Sequence, residues 1–230
     1  MANLLCLETA TETCSVAIFD DQNLLGFAQS QEPYNHAAQI TLLIDECLQS
    51  ARMTLDEIEG IIVSEGPGSY TGLRVGVSAA KGLCFTRNLP LIAVDTLKAL
   101  AYGSMLEHSN QIAKRLFCPM IDARRKEVYT GLYDNNLENL MPPQALILSE
   151  KSFESFFNLG YQIVFSGNGC LKFKEICPFE EAIFSQVRSS AKHFIKISHL
   201  KFAKKHYSDL IYFSPKYIKA PHITTAKKLI

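Results

Sequence analysis

The chain has no tryptophan, no C-x-x-C among its seven cysteines, no excess of either charge and no long apolar run. Each lack excludes a class. Lys+Arg and Asp+Glu both number 23, so the formal net charge is zero and a molecule-wide basic field for gripping nucleic acid is excluded. The odd set Cys6, Cys14, Cys47, Cys84, Cys118, Cys170 and Cys177 sits mostly in apolar runs, as small buried hydrophobes do. Reduced thiols and a cytoplasmic location are expected. The opening MANLLCLETATET lacks a basic stretch followed by a long apolar one, so no secretory leader is expected. No run approaches ~18 apolar residues, so no membrane span is expected.

Catalytic signatures are also scarce. His36 is followed four residues on by Ile40, and an imidazole beside a branched apolar group cannot share a metal ion. His108, His193, His199, His206 and His222 offer no pair one helical turn apart; His199 and His206 stand two turns apart. The G-x-x-x-x-G-K-[ST], G-x-G-x-x-G and G-x-S-x-G patterns are missing. Ser69 and Thr71 have no histidine or lysine base adjacent in sequence.

What is present is concentrated in SEGPGSYTGLRVGVSAAK, residues 64–81. The apolar run Ile61–Val63 followed by Gly66, Pro67 and Gly68 predicts a strand, a tight turn and a helix opened by Tyr70 and Thr71. Such a turn either holds an anion on backbone amides and the helix dipole or forms a rigid corner; the residues leave both readings open. Gly66, Gly68 and Ser69 are the candidate anion-binding residues. Gly72, Gly76 and Ala80 recur every four residues and line one helix face. A glycine inside a helix costs about 1 kcal/mol relative to alanine, so something must approach this helix closely, from within the molecule or from a partner.

Apolar runs at 4–7, 14–19 and 24–29, separated by polar turns, predict an antiparallel meander. A helix capped by Asn35 runs to Arg52, with Ile40, Leu43, Ile44, Cys47 and Leu48 as its apolar stripe. Strand 60–63, the glycine turn and a helix to Phe85 follow, then strand 91–94 and a helix capped by Thr96. The second half repeats the opening in outline: strand 116–121, the charged turn Asp122–Glu127, strand 128–133. Pro142–Pro143 marks an irregular stretch before strand 144–148. Ser149 caps a short helix to Asn158, and strand 162–165 ends in Ser166-Gly167-Asn168-Gly169. The expected fold is α/β, with two duplicated lobes around a cleft, each a mixed sheet with packed helices, the second reduced. Residues 1–105 and 106–230 are the expected lobes, the chain end being a candidate for packing back on the first. The last thirty residues are locally basic, with Lys201, Lys204, Lys205, Lys216, Lys219, Lys227 and Lys228 against Asp209 alone. They read as a solvated tail or as an RNA contact within a complex.

LLCLETATETCSVAIFD, NHAAQITLLIDECL, SEGPGSYTGLRVGVSAAKGLCF and LIAVDTLKALA occur in this order through the first lobe and resemble the bacterial TsaB family. IDARRKEVYTGLYD, FSGNG and SPKYIK carry the likeness more loosely into the second half. The resemblance implies the actin-like fold of sugar kinases, actin and chaperone ATPases. It implies a non-catalytic scaffold and activator of TsaD, which transfers a threonylcarbamoyl group to N6 of adenosine 37 in tRNAs reading ANN codons. TsaD presents H-x-x-x-H on the helix that here carries His36 and Ile40. The implied partners are TsaD through first-lobe helices, a TsaE-type ATPase joining the pair, a second copy of the chain in isolation, and tRNA only within the complex. The candidate interface residues are His36, Ile40, Leu43, Gly72, Arg74, Gly76, Ala79 and Ala80. No catalytic residue, metal or membrane partner is expected, and ATP or ADP is expected only in the assembled complex.

Further residues map onto superfamily positions. Where the first turn usually carries an aspartate that handles metal and phosphate, this chain has Glu8; alternatively Glu8 or Glu12 caps the turn or faces solvent. Gly167 and Gly169 fall where the second lobe carries glycine-rich nucleotide contacts. Asp122 with Arg124 and Arg125 forms either a polar pocket or a plain surface turn. Lys219 stands where the family's closing pattern has arginine, which loses the bidentate fork. The alternative function is a stand-alone ATP-dependent enzyme or peptidase of the same superfamily.

Overall fold

The computed structural model describes residues 2–21, 23–108, 112 and 114–219. The first sheet holds β1 (Asn3–Glu8), β2 (Ser15–Asp20), β3 (Asn23–Gln29), β4 (Gly60–Gly66) and β5 (Leu91–Asp95). The second holds β6 (Arg115–Asp122), β7 (Glu127–Tyr133), β8 (Asn139–Ile147), β9 (Gln162–Ser166) and β10 (Ala182–Phe184). Their orders are β3-β2-β1-β4-β5 and β10-β9-β6-β7-β8. When β1 to β5 are matched with β6 to β10, every neighbour and every parallel or antiparallel relation coincides. The repeated strand, charged turn and strand in the sequence is the trace of this duplication.

The helices are α1 (His36–Ala51), α2 (Tyr70–Arg87), α3 (Thr96–Glu107), α4 (Glu154–Asn158), α5 (Cys170–Lys174) and α6 (Ile195–Ala203). One face of the first sheet buries Leu5, Leu7, Val16, Ile18, Ile61 and Val63 with the inward residues of α1 and α2. The alternate residues Leu4, Cys6, Ala17, Phe19 and Ile62 face the opposite side and meet Ala191, Phe194 and Ile197. The central strands are thus covered on both faces, which is why they read as unbroken apolar runs rather than alternating ones. Full burial of each such Leu, Ile or Phe side chain contributes about 1.5–3 kcal/mol. α3 lies between the sheets. Its Ala99 packs on the first, while Leu97, Leu100 and Ala101 pack against Phe117, Ile121, Tyr133 and Val164 of the second. The outer face of the second sheet is closed by an aromatic cluster of Phe153, Phe157, Phe165 and Phe173.

Several local expectations are corrected. Asp95, not Thr96, caps α3: its carboxylate accepts the Lys98 N–H at 2.9 Å. Ser149 does not cap α4; the N-cap position falls at Phe153, in a left-handed conformation. Pro142 and Pro143 lie inside β8, which starts at Asn139. This strand is at the sheet edge, paired only with β7, where a residue without N–H is tolerated, and the register shifts nearby. Asn35 is the N-cap residue of α1, but its side chain donates to Glu32 instead of capping.

After β10 the chain returns to the first sheet. The Ala191 N–H donates to Ser15 Oγ at 3.0 Å, and the Ser208 N–H to the Leu91 carbonyl at 2.8 Å. Residues 208–219 then form a strap along α2. Lys81 Nζ donates to the carbonyls of Ile211 and Phe213 at 3.0 and 2.9 Å, and the Lys216 N–H donates to the Glu65 carbonyl at 2.6 Å. Lys219 ends the strap in an ion pair with Glu127 of β7, at 2.7 Å. Lys227 and Lys228 lie outside the described residues.

Candidate functional site

The glycine turn packs directly on the β1–β2 loop. Gly66 has φ +112°, which an L side chain rarely adopts, and a Cβ there would also abut the Lys216 carbonyl of the strap. Ser69 caps α2, its Oγ accepting the Gly72 N–H at 3.2 Å. The Ser69 N–H is itself taken by the Ala10 carbonyl at 2.7 Å. A Cβ on Gly68 would collide with that same carbonyl. On Gly72 it would meet the Thr9 carbonyl and lie 2.8 Å from His36 Cδ2; on Gly76 it would meet Thr9 Oγ1. The small-residue stripe of α2 therefore accommodates the β1–β2 loop and the start of α1.

Glu8 is fully buried. One carboxylate oxygen accepts the Ala10 N–H at 2.5 Å, so Glu8 caps its own turn, while the other has no partner among the described residues. Burial raises its pKa to about 7. His36 is also buried, its Nε2 2.7 Å from the Thr11 carbonyl. A carbonyl only accepts, so Nε2 carries a proton, and Nδ1 has no partner among the described residues. Ile40, one turn on, is core.

Across the cleft, Asn168 joins the lobes. Its Nδ2 donates to Glu12 of the β1–β2 loop, and its Oδ1 accepts the Asp122 N–H at 2.9 Å. Gly167, at φ +89°, abuts the Met120 carbonyl, and a Cβ on Gly169 would lie 2.9 Å from Val128 Cγ1. Asp122 pairs with Lys172 at 2.7 Å and accepts the Arg124 N–H. Arg124 and Arg125 are exposed, at φ +70° and +49°, so this segment is a surface turn, not a pocket. The nucleotide of the superfamily does not fit this corner. Glu8 is sealed from solvent, the turn's close approaches are filled by Thr9 and Ala10, and the two loops that would flank a phosphate are tied together through Asn168. Among the described residues no group of three His, Cys, Asp or Glu side chains is placed to hold a metal ion.

The candidate interface residues divide. His36, Leu43, Gly72, Gly76 and Ala80 are buried within the first lobe, packed against Thr9, Thr11 and the sheet, while Ile40, also core, lines the floor of the groove between α1 and α2. Arg74 is exposed and Ala79 half-buried. Both line a shallow apolar groove between α1 and α2 with Ala37, Tyr70, Val75 and Ser78. Arg74 lies 4.1 Å above the Tyr70 ring and donates to Tyr217 Oη at 3.1 Å, while Tyr217 packs on Tyr70 with ring centroids 5.1 Å apart. Sequence reasoning missed Ala37 and Ser78, which the exposed side of the helical period marks, and missed Asn168 and Tyr217, whose contacts join distant segments. Lys219, which stands where the family's closing pattern has arginine, pairs with Glu127 at 2.7 Å.

Two five-stranded sheets of the same order, joined through α3, define a two-lobed protein of the sugar-kinase and actin-like class. A solved Pseudomonas aeruginosa protein, described as uncharacterized with similarity to peptidase YeaZ, shares this fold with TM-score 0.79 at 24% identity, over 95% of this chain and all of that one. A family model described as "TsaD: tRNA N6-adenosine threonylcarbamoyltransferase" matches residues 29–225. The tRNA threonylcarbamoyladenosine biosynthesis protein TsaB of Escherichia coli is 31% identical over 72% of this chain and 71% of its own length. That of Bacillus subtilis is 31% identical over 64% of this chain, and the match spans 63% of the relative's length. The chain belongs to the bacterial TsaB family.

Proposed function

We propose that the chain takes part in forming threonylcarbamoyladenosine in tRNA as a non-catalytic subunit that docks on a TsaD-type transferase and activates it. The start of α1 carries this reading. Where the resemblance puts a metal-binding histidine pair on the transferase, this chain has one histidine donating to Thr11 and one core isoleucine. The names of its relatives support the pathway. The α1–α2 groove, open and apolar beside the core, supports docking through the first lobe. The same groove in a second copy is the proposed homodimer contact in isolation. Activation is then a shift of the partner's conformational population rather than added chemistry. A TsaE-type ATPase joins the assembled pair, tRNA is modified within that assembly, and nucleotide belongs to it, in keeping with the filled corner at Ala10 and Ser69.

The test is threonylcarbamoyl transfer to tRNA by the matching TsaD-type enzyme, with ATPase, ATP and activated donor, in the presence and absence of this chain. Activity dependent on the chain, with none from the chain alone, is expected; full activity without it would overturn the reading. Ser78→Arg, which puts a long cation in the groove at an exposed position, is expected to weaken docking at least tenfold in a pull-down titration without changing the melting temperature.

A further inference from the structure

We infer that the surface formed by the 3₁₀ turn Ala191–Phe194 and α6 is a contact for the phosphate backbone of RNA; the inference rests on the tRNA reading above and assigns the RNA its place on this subunit. The chain as a whole is neutral, but residues 182–208 contain Arg188, Lys192, Lys196, Lys201, Lys204 and Lys205 and no aspartate or glutamate. The fold gathers this run on one side of the first sheet. Phe194, Ile197 and Phe202 point into the sheet, which turns the lysines outward. Lys192, Lys196, Lys204 and Lys205 are exposed, and none of their ammonium groups has a hydrogen bond or ion pair among the described residues. Lys201 differs: its Nζ donates to the Ala93 carbonyl at 2.6 Å and anchors the helix. The nine residues of α6 extend about 14 Å at ~1.5 Å per residue, with Lys192 and Lys196 at its start and Lys204 and Lys205 at its end.

Of the neighbouring carboxylates, Asp209 accepts the N–H groups of Ile211 and Tyr212 in its own turn and Asp21 faces His199 at 3.7 Å; neither forms an ion pair with these four lysines among the described residues. Lys192 lies 3.8 Å above the Phe27 ring and Lys196 5.8 Å from that of Tyr102; these contacts orient the stems and leave the charges in place. An anionic membrane is the other extended polyanion. A helix that lies in a membrane surface needs a free apolar face, and the apolar face of α6 is spent on the sheet. The position also suits an assembly. α1 and α2 cover one face of the first sheet and α6 the other, so a partner seated on the α1–α2 groove leaves the lysines open to RNA.

The experiment replaces Lys192, Lys196, Lys204 and Lys205 together by Gln and measures binding of transcribed tRNA by fluorescence anisotropy between 50 and 300 mM KCl. It uses the full chain alone and the chain with its TsaD-type partner. Each phosphate contact contributes about 0.7–0.9 to the slope of log K against log salt. The variant is expected to lower that slope by about three and to weaken binding at least tenfold at the lowest salt, with an unchanged melting temperature and unchanged docking on the partner. An unchanged slope in the variant, or no tRNA binding by the wild-type chain in either arm, overturns the inference. If the partner does not dock, the proposed function fails while the chain-alone arm still decides the inference. Co-sedimentation with phosphatidylserine vesicles that the four substitutions abolish, without an effect on tRNA binding, would assign the surface to membranes and likewise overturn it. Ser78→Arg serves as a control on the opposite face and is expected to leave the slope of the chain alone unchanged.

Discussion

Glu8 is a buried carboxyl with no charged partner among the described residues, and its protonation is tied to folding. Its folded-state pKa, about 7, lies above the ordinary 4.5, so the folded chain holds this proton more tightly than the unfolded one. The stability linked to it is fully present below about 4.5 and is lost as pH rises through about 7; the gap corresponds to about 3 kcal/mol. Glu8→Gln, neutral at every pH, is expected to flatten that decline in urea titrations at pH 5, 6, 7 and 8. Raised values at Glu65 and Asp95, caused first by burial, leave a residual slope of the same sign. His193 acts oppositely. Burial lowers its pKa from 6.5 to about 4, so stability is lost as pH falls through that range. The glycines of α2 give a second test. Gly72→Ala puts a Cβ against the Thr9 carbonyl, a backbone atom that cannot swing away, and is expected to cost about 1–3 kcal/mol. Gly82 has open space around it, so Gly82→Ala is expected to add up to about 1 kcal/mol. The period of four revealed that something approaches this helix; that the visitor is the β1–β2 loop was not readable, because loop and helix are joined only by the fold. Glu8 was readable as a turn residue and not as a buried one, since its neighbours in sequence are polar.

Among the elements, those with strong patterns were recovered: the meander, α1 with its apolar stripe, β4 with its turn, and α2. The misplacements share a cause. Thr96 and Ser149 were reasonable caps by residue type, but Asp95 one position earlier reaches the Lys98 N–H, and the chain before α4 makes its own turn. The prolines of β8 broke a strand pattern that the sheet edge tolerates. The strap had no pattern to read, because it is neither helix nor strand and is held by carbonyls, Lys81 and two tyrosine rings. Tyr217→Ala removes the Arg74 bond and the Tyr70 contact, and is expected to cost about 1–2 kcal/mol and to speed tryptic cleavage at Lys216.

At the scale of the molecule, the repeat in the sequence disclosed the duplication and the chain end stood out as a candidate for packing back on the first lobe, but the tie across the cleft was not legible. Asn168→Ala frees Glu12 and the Asp122 N–H at once. It is expected to cost about 1–3 kcal/mol and to raise amide exchange in the loops 9–13 and 122–127, as read by mass spectrometry. α3 has a further consequence. The connection between two lobes is ordinarily the first place to give way, but here Leu97, Leu100, Ala101, Gly103 and Ser104 of that connection are buried between both sheets. Neither lobe can melt without stripping the cover from the other. A single calorimetric transition, with α3 amides exchanging only through global opening, follows from one helix serving as the shared interior of both halves.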